Sequence, residues 1–454
     1  MGSAGLWAAL DATVPSGFAS AMSFNQIAAL VVLVVVVGVL IHGKVRAEVA
    51  ALTAAATLML LGVIRPVEVQ AAFASPAIIA LACLFIIAYA IELSGLLALL
   101  IRRATRLCAR LGSAGLWIVM VLCGAASAFL NNTPIVVLAA PVVKDVAASL
   151  RLSPKRFLIP LSYITIMGGA CTLIGTSTNL LVNDMARNAG QPVFGLFEIT
   201  PVALVVAAAG GLYLFLIGGR LLAGGGDGGP PQGRDLHAQT GDGMLGNAEL
   251  FAVEKPFDSK KAILSLGVFL AVVLSAAIGV TSIAAGAFAG AVLLILLKVI
   301  SPEEAYAGLR PEVLLLIAGM VVVGLAIEVT GLAATGTALL IDVIRPFGPL
   351  VALAALYGVT LFATEFLSNA AVAVLITPVA VALAESLGVA PRPFLIAVMM
   401  AASAAFATPF GYQTNVLVFQ AGDYRYMDFV RVGVPLNLVT WTAGVIAIPI
   451  FFPF

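Results

Sequence analysis

Small neutral polar residues interrupt two otherwise apolar stretches of this chain. Residues 129–141 read FLNNTPIVVLAAP and residues 366–378 read FLSNAAVAVLITP, so that Asn369 stands 237 positions after Asn132. Each stretch places amide and hydroxyl oxygens in the middle of sequence that reads as membrane-buried. Such neutral oxygens suit a hard monovalent cation and an oxyanion, and they do not suit a transition metal.

Two further polar breaks repeat in the same way. Residues 168–179 read GGACTLIGTSTN and residues 407–415 read ATPFGYQTN, with a shared Thr-Asn pair 236 positions apart. Gly175 permits a broken helix in the first, and Pro409 requires at least a kink in the second. A broken helix exposes carbonyl groups that can coordinate a cation and amide groups that attract an anion. Alternatively, Asn, Ser and Thr only cap the half-helices, although one residue can do both.

The composition indicates that these polar breaks lie in a membrane protein. Hydrophobic residues make up 62% of the chain and charged residues 10%, against about 45–50% and about 25% in an average soluble domain. Many apolar runs approach the roughly 20 residues that cross a bilayer as a helix, which predicts an all-α polytopic membrane protein in contact with lipid. The net charge of +1 argues against nucleic acid as a partner. Four scattered cysteines predict neither a zinc site nor a disulfide framework, and no cofactor is expected.

Apolar runs predict ten membrane spans, and two longer pieces, 113–148 and 347–386, are each broken by a polar turn. Each piece could form two full spans or one re-entrant hairpin. Residues 133–144 are separated by only 11 positions, or about 17 Å of helix, which predicts a tip near the middle of the membrane. Residues 370–385 give a looser bound of about 22 Å for the second tip. We therefore predict two re-entrant hairpins. The predicted spans are 25–41, 46–63, 77–101, 157–187, 199–219, 262–280, 283–298, 311–330, 393–420 and 433–453.

Basic residues predict the orientation of the chain. With this assignment, most Lys and Arg residues fall on one side, and only Arg65, Arg187, Arg345 and Arg392 fall on the other. The positive-inside rule places the basic side in the cytoplasm of a cell membrane, here a bacterial inner membrane. The hairpin 113–148 then enters from the cytoplasm, the hairpin 347–386 enters from outside, and the C-terminus lies outside.

The shared offset predicts two inverted-topology repeats, each with a re-entrant hairpin and a broken transmembrane helix. Such repeats are typical of secondary transporters that bind their substrate at the repeat interface. The predicted organisation is an N-terminal segment, a first repeat, a Gly-rich cytoplasmic linker and a second repeat, at residues 1–24, 25–219, 220–261 and 262–454.

Glu365 stands beside the second tip, in FATEFLSN. A carboxylate inside a membrane costs about 2.5–3.5 kcal/mol on insertion scales, so that it is a functional candidate by default. Glu365 could carry a coupling proton or balance a cation. Alternatively, it faces a wet vestibule or forms hydrogen bonds within the hairpin.

The four motifs together resemble the divalent anion/sodium symporter family, within the wider ion transporter superfamily, over nearly the whole chain from about residue 25. The resemblance implies an elevator-type symporter, usually a homodimer, in which a transport part moves against a scaffold. It implies one sodium site at Ser127, Asn131, Asn132 and Gly175. It implies a second sodium site at Thr364, the backbone of Leu367, Asn369, Ala407 and Pro409. It places a small anionic substrate among Asn132, Thr133, Thr176, Asn369, Pro409 and Thr414.

The chain departs from the family pattern at both tips. Asn131 replaces a family Ser, and Ala370 replaces a family Thr, so that one hydroxyl expected on the anion is missing. This difference disfavours a dicarboxylate held symmetrically and favours a compact anion such as sulfate.

The leading prediction is sodium-coupled symport of a small divalent anion, sulfate or a dicarboxylate, by an elevator mechanism. The alternative is a sodium/proton antiporter or metalloid efflux permease of the same superfamily that uses Glu365. An intramembrane enzyme is disfavoured because the sequence contains neither HExxH nor GxSxG. A channel would differ by ion flux far above carrier rates.

Overall fold

The computed structural model describes residues 22–42, 44–100, 103, 112–218, 221–222, 257–333 and 347–454. Every regular element in these ranges is helical, which confirms the predicted all-α class. The predicted N-terminal segment, 1–24, and the predicted linker, 220–261, lie mostly outside the described residues.

Nine α-helices with both ends in the described residues precede residue 220, and the last of them continues as a π-helical turn at Leu214–Gly218. They are α1 (Phe24–His42), α2 (Ala47–Leu60), α3 (Pro66–Phe73), α4 (Pro76–Leu93), α5 (Ser113–Ser127), α6 (Asn132–Ser149), α7 (Lys155–Gly169), α8 (Ser177–Asn188) and α9 (Thr200–Tyr213). Residues 96–100 are helical as well.

Nine more helices follow residue 257 in the described ranges. They are α10 (Ser259–Ala277), α11 (Ile283–Leu296), α12 (Pro302–Gly308), α13 (Pro311–Val329), α14 (Gly348–Ala363), α15 (Asn369–Leu387), α16 (Arg392–Ala402), α17 (Gln413–Ala421) and α18 (Tyr426–Phe451).

Local signals in the sequence set many of these boundaries. Proline occupies the first turn of α3, α4, α12 and α13, where its missing N–H group would have no partner in the helix anyway. Ser75 caps α4 by accepting a hydrogen bond from the Ala77 amide, and Asp258 caps α10 by accepting from Lys260 and Lys261. Gly388 ends α15 in the left-handed conformation, at a φ of 71°.

Six helical segments in the described residues are long and apolar enough to cross a membrane. Their outward faces carry large apolar side chains, such as Ile263 at 71% exposure on α10, a pattern that suits lipid better than water. These segments indicate a multi-pass membrane protein. They are Pro66–Leu93, Thr200–Gly218, Ser259–Ala277, Pro311–Val329, Asn369–Leu387 and Tyr426–Phe451.

The second arms of the two predicted hairpins extend beyond the residues from which the depth of the tips was estimated. Helix α6 has 18 residues, or about 27 Å, because it continues past Lys144 to Ser149. Helix α15 has 19 residues, or about 28 Å, and is itself one of the six candidate spans. The mid-membrane depth of the tips, which was inferred from 17 and 22 Å, therefore stays a prediction.

The two halves of the chain interlock reciprocally around the polar breaks. Helix α5 packs on α7 and α14 packs on α16, so that each predicted hairpin rests on the broken helix of its own half. In addition, α6 packs against α17, and α15 packs against α8, so that each second arm also meets the broken helix of the other half. The breaks lie where they were predicted, between Gly169 and Ser177 and between Ala402 and Gln413.

Candidate functional site

The first tip is the turn between α5 and α6. The Ser127 hydroxyl donates a hydrogen bond to the side-chain carbonyl of Asn132, and both side chains are buried. Asn131 is the N-cap of α6 and accepts from the Thr133 amide at 3.2 Å. The buried amide of Asn132 therefore starts the helix, with its carbonyl oxygen fixed by a neighbouring hydroxyl.

The loop between α7 and α8 fastens onto this tip. The Thr172 hydroxyl donates to the backbone carbonyl of Ala128 and accepts from the Gly175 amide at 3.1 Å. The Asn179 side chain then donates to the Ala170 carbonyl at 3.3 Å and to the Thr172 carbonyl at 2.9 Å. These bonds satisfy backbone groups that the break would otherwise leave without partners.

The second tip, between α14 and α15, has the corresponding hydroxyl-to-amide contact. The Thr364 hydroxyl lies 2.8 Å from the Asn369 side-chain carbonyl and donates at 2.8 Å to the Ala402 carbonyl at the end of α16. Ser368 is the N-cap of α15 and accepts from the Ala371 amide at 3.3 Å.

The loop between α16 and α17 fastens onto the second tip as its counterpart does onto the first. The Thr408 hydroxyl lies 3.3 Å from the Glu365 backbone carbonyl and accepts from the Gly411 amide at 3.0 Å. The Asn415 side chain donates to the carbonyls of Ala405, at 2.8 Å, and of Thr408, at 3.2 Å. The contacts repeat those of the first half at offsets of 235 to 237 positions.

The two loops differ at one buried atom. The Asn415 side-chain carbonyl accepts from the Ser162 hydroxyl at 2.7 Å, whereas the corresponding oxygen of Asn179 is buried with no hydrogen-bond partner. The site is therefore only approximately two-fold in its hydrogen bonding.

Neutral oxygens surround the glycines of the first break. A Cβ atom on Gly169 would lie 2.7 Å from the Asn132 side-chain oxygen and 3.2 Å from the Gly175 carbonyl oxygen. A Cβ atom on Gly175 would overlap the Gly169 carbonyl and lie 2.7 Å from the Ala128 carbonyl oxygen. We call these four oxygens, together with the Ser127 hydroxyl, the first oxygen cluster. Only glycine leaves space at positions 169 and 175 beside them.

Residues of the second half reach the first tip directly. The Asn132 side-chain amide donates to the Tyr412 hydroxyl at 2.8 Å, and Thr176 lies near this hydroxyl. The Thr133 hydroxyl donates to the side-chain oxygen of Gln413 at 3.1 Å. Three of the six predicted substrate residues therefore lie around one tyrosine and one glutamine from the second half of the chain.

The Glu365 carboxylate lies at the start of the break between α16 and α17. Its Oε1 accepts from the backbone amides of Phe406, at 3.0 Å, and Ala407, at 2.8 Å, and from the Asn437 side chain at 2.8 Å. Its Oε2 accepts from the Thr408 amide at 3.0 Å. All four donors are N–H groups, an arrangement that suits an ionised carboxylate.

The structure brings together some predicted site residues and separates others. Ser127, Asn132 and Gly175 meet in the first oxygen cluster, whereas the Asn131 side chain caps α6 instead. Thr414 is fully buried, and its hydroxyl contacts Ser162 at 2.8 Å.

In the second predicted sodium set, Thr364 contacts Asn369, and Ala407 contacts the Glu365 carboxylate through its amide. Pro409 is buried and follows Thr408, and Leu367 lies in the tip with its amide bonded to the Ala363 carbonyl at 3.0 Å.

Three residues that carry this geometry were not singled out from the sequence. Thr172 and Thr408 fasten the loops, and their 236-residue spacing within the repeated motifs was a signal that could have identified them. Tyr412 had no such signal, because its counterpart at that spacing, Thr176, is a different residue type.

We expect Tyr412→Phe to lower the apparent affinity for the anion predicted from the sequence by about 3- to 10-fold. The hydroxyl accepts a hydrogen bond from Asn132, and one hydrogen bond contributes about 0.5–1.5 kcal/mol. The measurement is the KM of uptake into proteoliposomes. Tyr306→Phe, on an exposed side chain of α12, serves as the matched control and should leave KM unchanged.

Among the described residues, no group of three or more His, Cys, Asp or Glu side chains could hold a metal ion. The oxygen cluster consists of hydroxyl, amide and carbonyl oxygens, which are ligands of hard monovalent cations.

Comparison with known proteins places the chain among transporters. The family model described as citrate transporter matches residues 32–389 and 366–453. An uncharacterised transporter of Synechocystis is 24% identical and covers 86% of this chain and 91% of its own length. Sodium/sulfate cotransporter 1 of Chlamydomonas reinhardtii is 33% identical over 149 residues, 33% of this chain and 17% of its own. The structure of Neisseria gonorrhoeae MtrF, described with a class of antimetabolite efflux pumps, has the same fold, with a TM-score of 0.58, 12% identity and 95% coverage of both chains.

Proposed function

Because the chain belongs to the citrate transporter family, we propose that it couples sodium to the transport of a small divalent anion, such as sulfate or a dicarboxylate. Membership confirms the resemblance that the four motifs indicated, and it makes the protein a transporter of the citrate/sulfate–sodium type. The finer features below, namely the coupling ion, the anion and the moving parts, belong to the proposal.

The first oxygen cluster is the observation that carries the proposal. It joins the tip of one predicted hairpin, at Ser127, Ala128 and Asn132, to the break of a helix, at Gly169 and Gly175. A sodium ion bound there would draw the tip and the break together. The same ion would support a neighbouring anion, because the amide ends of half-helices and the ion are both positive. Binding of the cation would therefore favour binding of the anion.

The anion site lies where the repeats meet. Asn132, Thr133 and Thr176 of the first half adjoin Tyr412 and Gln413 of the second, and these groups offer N–H and O–H donors without a formal charge. An oxyanion accepts several such bonds at once. We extend the anion site to Asn369, Pro409 and Thr414 by the repeat, with Thr414 acting through the packing of α17.

The architecture supports an elevator mechanism. In the proposal, the segments 113–148 and 347–386 are re-entrant hairpins of two inverted repeats, 25–219 and 262–454, with the linker in the cytoplasm and the C-terminus outside. The hairpins and broken helices form a transport part, while α2, α4, α11 and α13, which pack in the pairs α2–α13 and α4–α11, form the scaffold. The scaffold would also hold the interface of a homodimer in the bacterial inner membrane.

The contacts of Glu365 support sodium coupling over coupling to protons through this residue. A carboxylate that accepts four N–H donors would lose at least one of these bonds on protonation. Its hydrogen bonds join the second tip to the break, which supports the structural alternative considered from the sequence. Its use as a proton carrier stays a prediction that the variants below test.

Competition for labelled sulfate uptake tests the substrate. Proteoliposomes that contain the protein take up labelled sulfate in sodium or in choline medium, with sulfate, succinate, citrate or chloride as competitor. We expect sodium-dependent uptake that unlabelled sulfate inhibits most and chloride does not inhibit. If no anion of the panel is taken up or competes, the proposed function is wrong.

Ala370→Thr should shift selectivity toward dicarboxylates. The substitution supplies the hydroxyl that the second tip lacks, in the first turn of α15, where Ala370 is half-buried. One added hydrogen bond to an anionic oxygen contributes about 1.5–3 kcal/mol. Succinate should therefore inhibit labelled sulfate uptake by the variant at a concentration about 10-fold or more lower than it needs for the parent protein. Ala363→Thr is the matched control, because Ala363 is also half-buried, at the end of α14. This variant should leave the ratio of succinate to sulfate affinity unchanged.

A further inference from the structure

A separate cavity adjoins the first tip. Its volume is about 40 Å³, which is room for a few water-sized groups. Helix α4 forms one wall, Leu130, Asn131 and Pro134 of the first tip form another, and Gly308 and Arg310 close it. It combines apolar walls with a few convergent polar groups, as ligand pockets commonly do.

Arg310 supplies a positive charge to this cavity. It precedes α13, and its guanidinium carbon lies 5.9 Å from the centre of the Phe85 ring, a cation–π distance that orients the group. Gly308 lies so close to Tyr89 that a Cβ atom would come within 2.9 Å of that side chain, so glycine lets this segment approach α4.

Charged and polar groups around Arg310 connect the cavity to the proposed anion site. The carboxylates of Glu92, which also lines the cavity, and of Glu312 are within electrostatic reach of the guanidinium, as is the Tyr412 hydroxyl. That hydroxyl accepts from Asn132 at 2.8 Å. Arg310 and the tip residues Leu130 and Asn131 line the same cavity.

We propose that this cavity is an anion-binding vestibule in which Arg310 contacts the transported oxyanion next to the site at Asn132 and Thr133, in competition with Glu92. The inference rests on the proposed function. A guanidinium binds sulfate or a carboxylate through two parallel N–H bonds, which neutral amides and hydroxyls cannot match. In the proposed topology the vestibule lies on the cytoplasmic side of the first tip.

Substitution of Glu92 distinguishes an anion-binding vestibule from a purely structural pairing of Glu92 with Arg310. If the two side chains only stabilised the fold, removing either charge would impair the protein in the same direction. In a vestibule, Glu92 repels the anion and competes for Arg310, so that removal of its charge favours the anion. The two single substitutions should therefore act in opposite directions on KM.

The test compares KM and maximal rate for sodium-driven sulfate uptake in proteoliposomes. We expect Arg310→Gln to raise KM about tenfold, Arg310→Lys to raise it less, and Glu92→Gln to lower it about threefold. Arg65→Gln removes one partner of an exposed ion pair with Glu68 and should leave KM unchanged. Thermal unfolding in detergent verifies that each variant is folded.

Two results would overturn the inference. Equal KM values for the parent protein, Arg310→Gln and Arg310→Lys would show that the guanidinium does not contact the anion. A rise in KM for both Arg310→Gln and Glu92→Gln would assign the pair to the fold. In either case the parent protein still transports sulfate, so the proposed function stands; if the parent transports no anion, both fail together.

Discussion

Gly175→Ala should lower the apparent affinity for sodium in sulfate uptake by about 5- to 150-fold. The added methyl group would overlap the Gly169 carbonyl and lie 2.7 Å from the Ala128 carbonyl oxygen, two members of the first oxygen cluster. Overpacking of this kind costs about 1–3 kcal/mol, and the displaced oxygens are the proposed sodium ligands. The measurement is the sodium concentration that gives half-maximal sulfate uptake.

Gly211→Ala is the matched control for this substitution. Gly211 lies in α9, and a Cβ atom there would meet nothing within 4 Å. Alanine is favoured over glycine inside a helix, so this variant should be at least as stable as the parent and should keep its sodium dependence. An unchanged sodium dependence in a folded Gly175→Ala protein would contradict the assignment of the oxygen cluster to sodium.

Glu365→Ala should strongly destabilise the protein, and Glu365→Gln should do so to a lesser degree. The alanine leaves three backbone amides and the Asn437 side chain without their acceptor. The glutamine can still accept, but its NH₂ group would face an N–H donor, at a cost of about 1–3 kcal/mol. We expect lower Tm for both variants, and reduced uptake whose pH profile parallels that of the parent protein.

Glu328→Gln provides the comparison for Glu365. Glu328 lies near the end of α13, one of the six candidate spans, and its Oε2 is buried with no hydrogen-bond partner. Its neutral variant should therefore be no less stable than the parent. A Glu365→Gln protein with the parent's Tm, whose uptake had lost its pH dependence, would instead identify Glu365 as a proton carrier and favour the antiporter alternative.

The sequence was sufficient to predict the helical class, the two breaks and the polar tips. Composition and hydrophobic length determine the class, because only helices and closed barrels satisfy backbone hydrogen bonds in lipid. The copied spacing of Asn132 and Asn369 identified the tips, and the structure shows the same hydroxyl-to-amide contact at both. Repetition was informative because a chance match would not preserve polar residues at one spacing.

Other features depended on contacts that no spacing reveals. The depth of the first tip was estimated by taking Lys144 as the membrane boundary, but α6 continues through Lys144 to Ser149, so the helix end does not mark that boundary. The role of Tyr412 follows from the packing of α17 on α6, which joins residues 280 positions apart. Glu365 could be recognised as a candidate, but only the positions of the amides from Phe406 to Thr408 indicate what it binds.

Accumulation of the anion against its own concentration gradient most directly tests the central claim, that sodium drives anion transport. Sealed proteoliposomes with an inward sodium gradient and equal sulfate on both sides are followed with labelled sulfate over time. The account predicts that sulfate accumulates, that a sodium ionophore abolishes accumulation, and that an equal potassium or proton gradient does not replace sodium. Accumulation that persists without sodium, or its absence for every small anion under a sodium gradient, would contradict it.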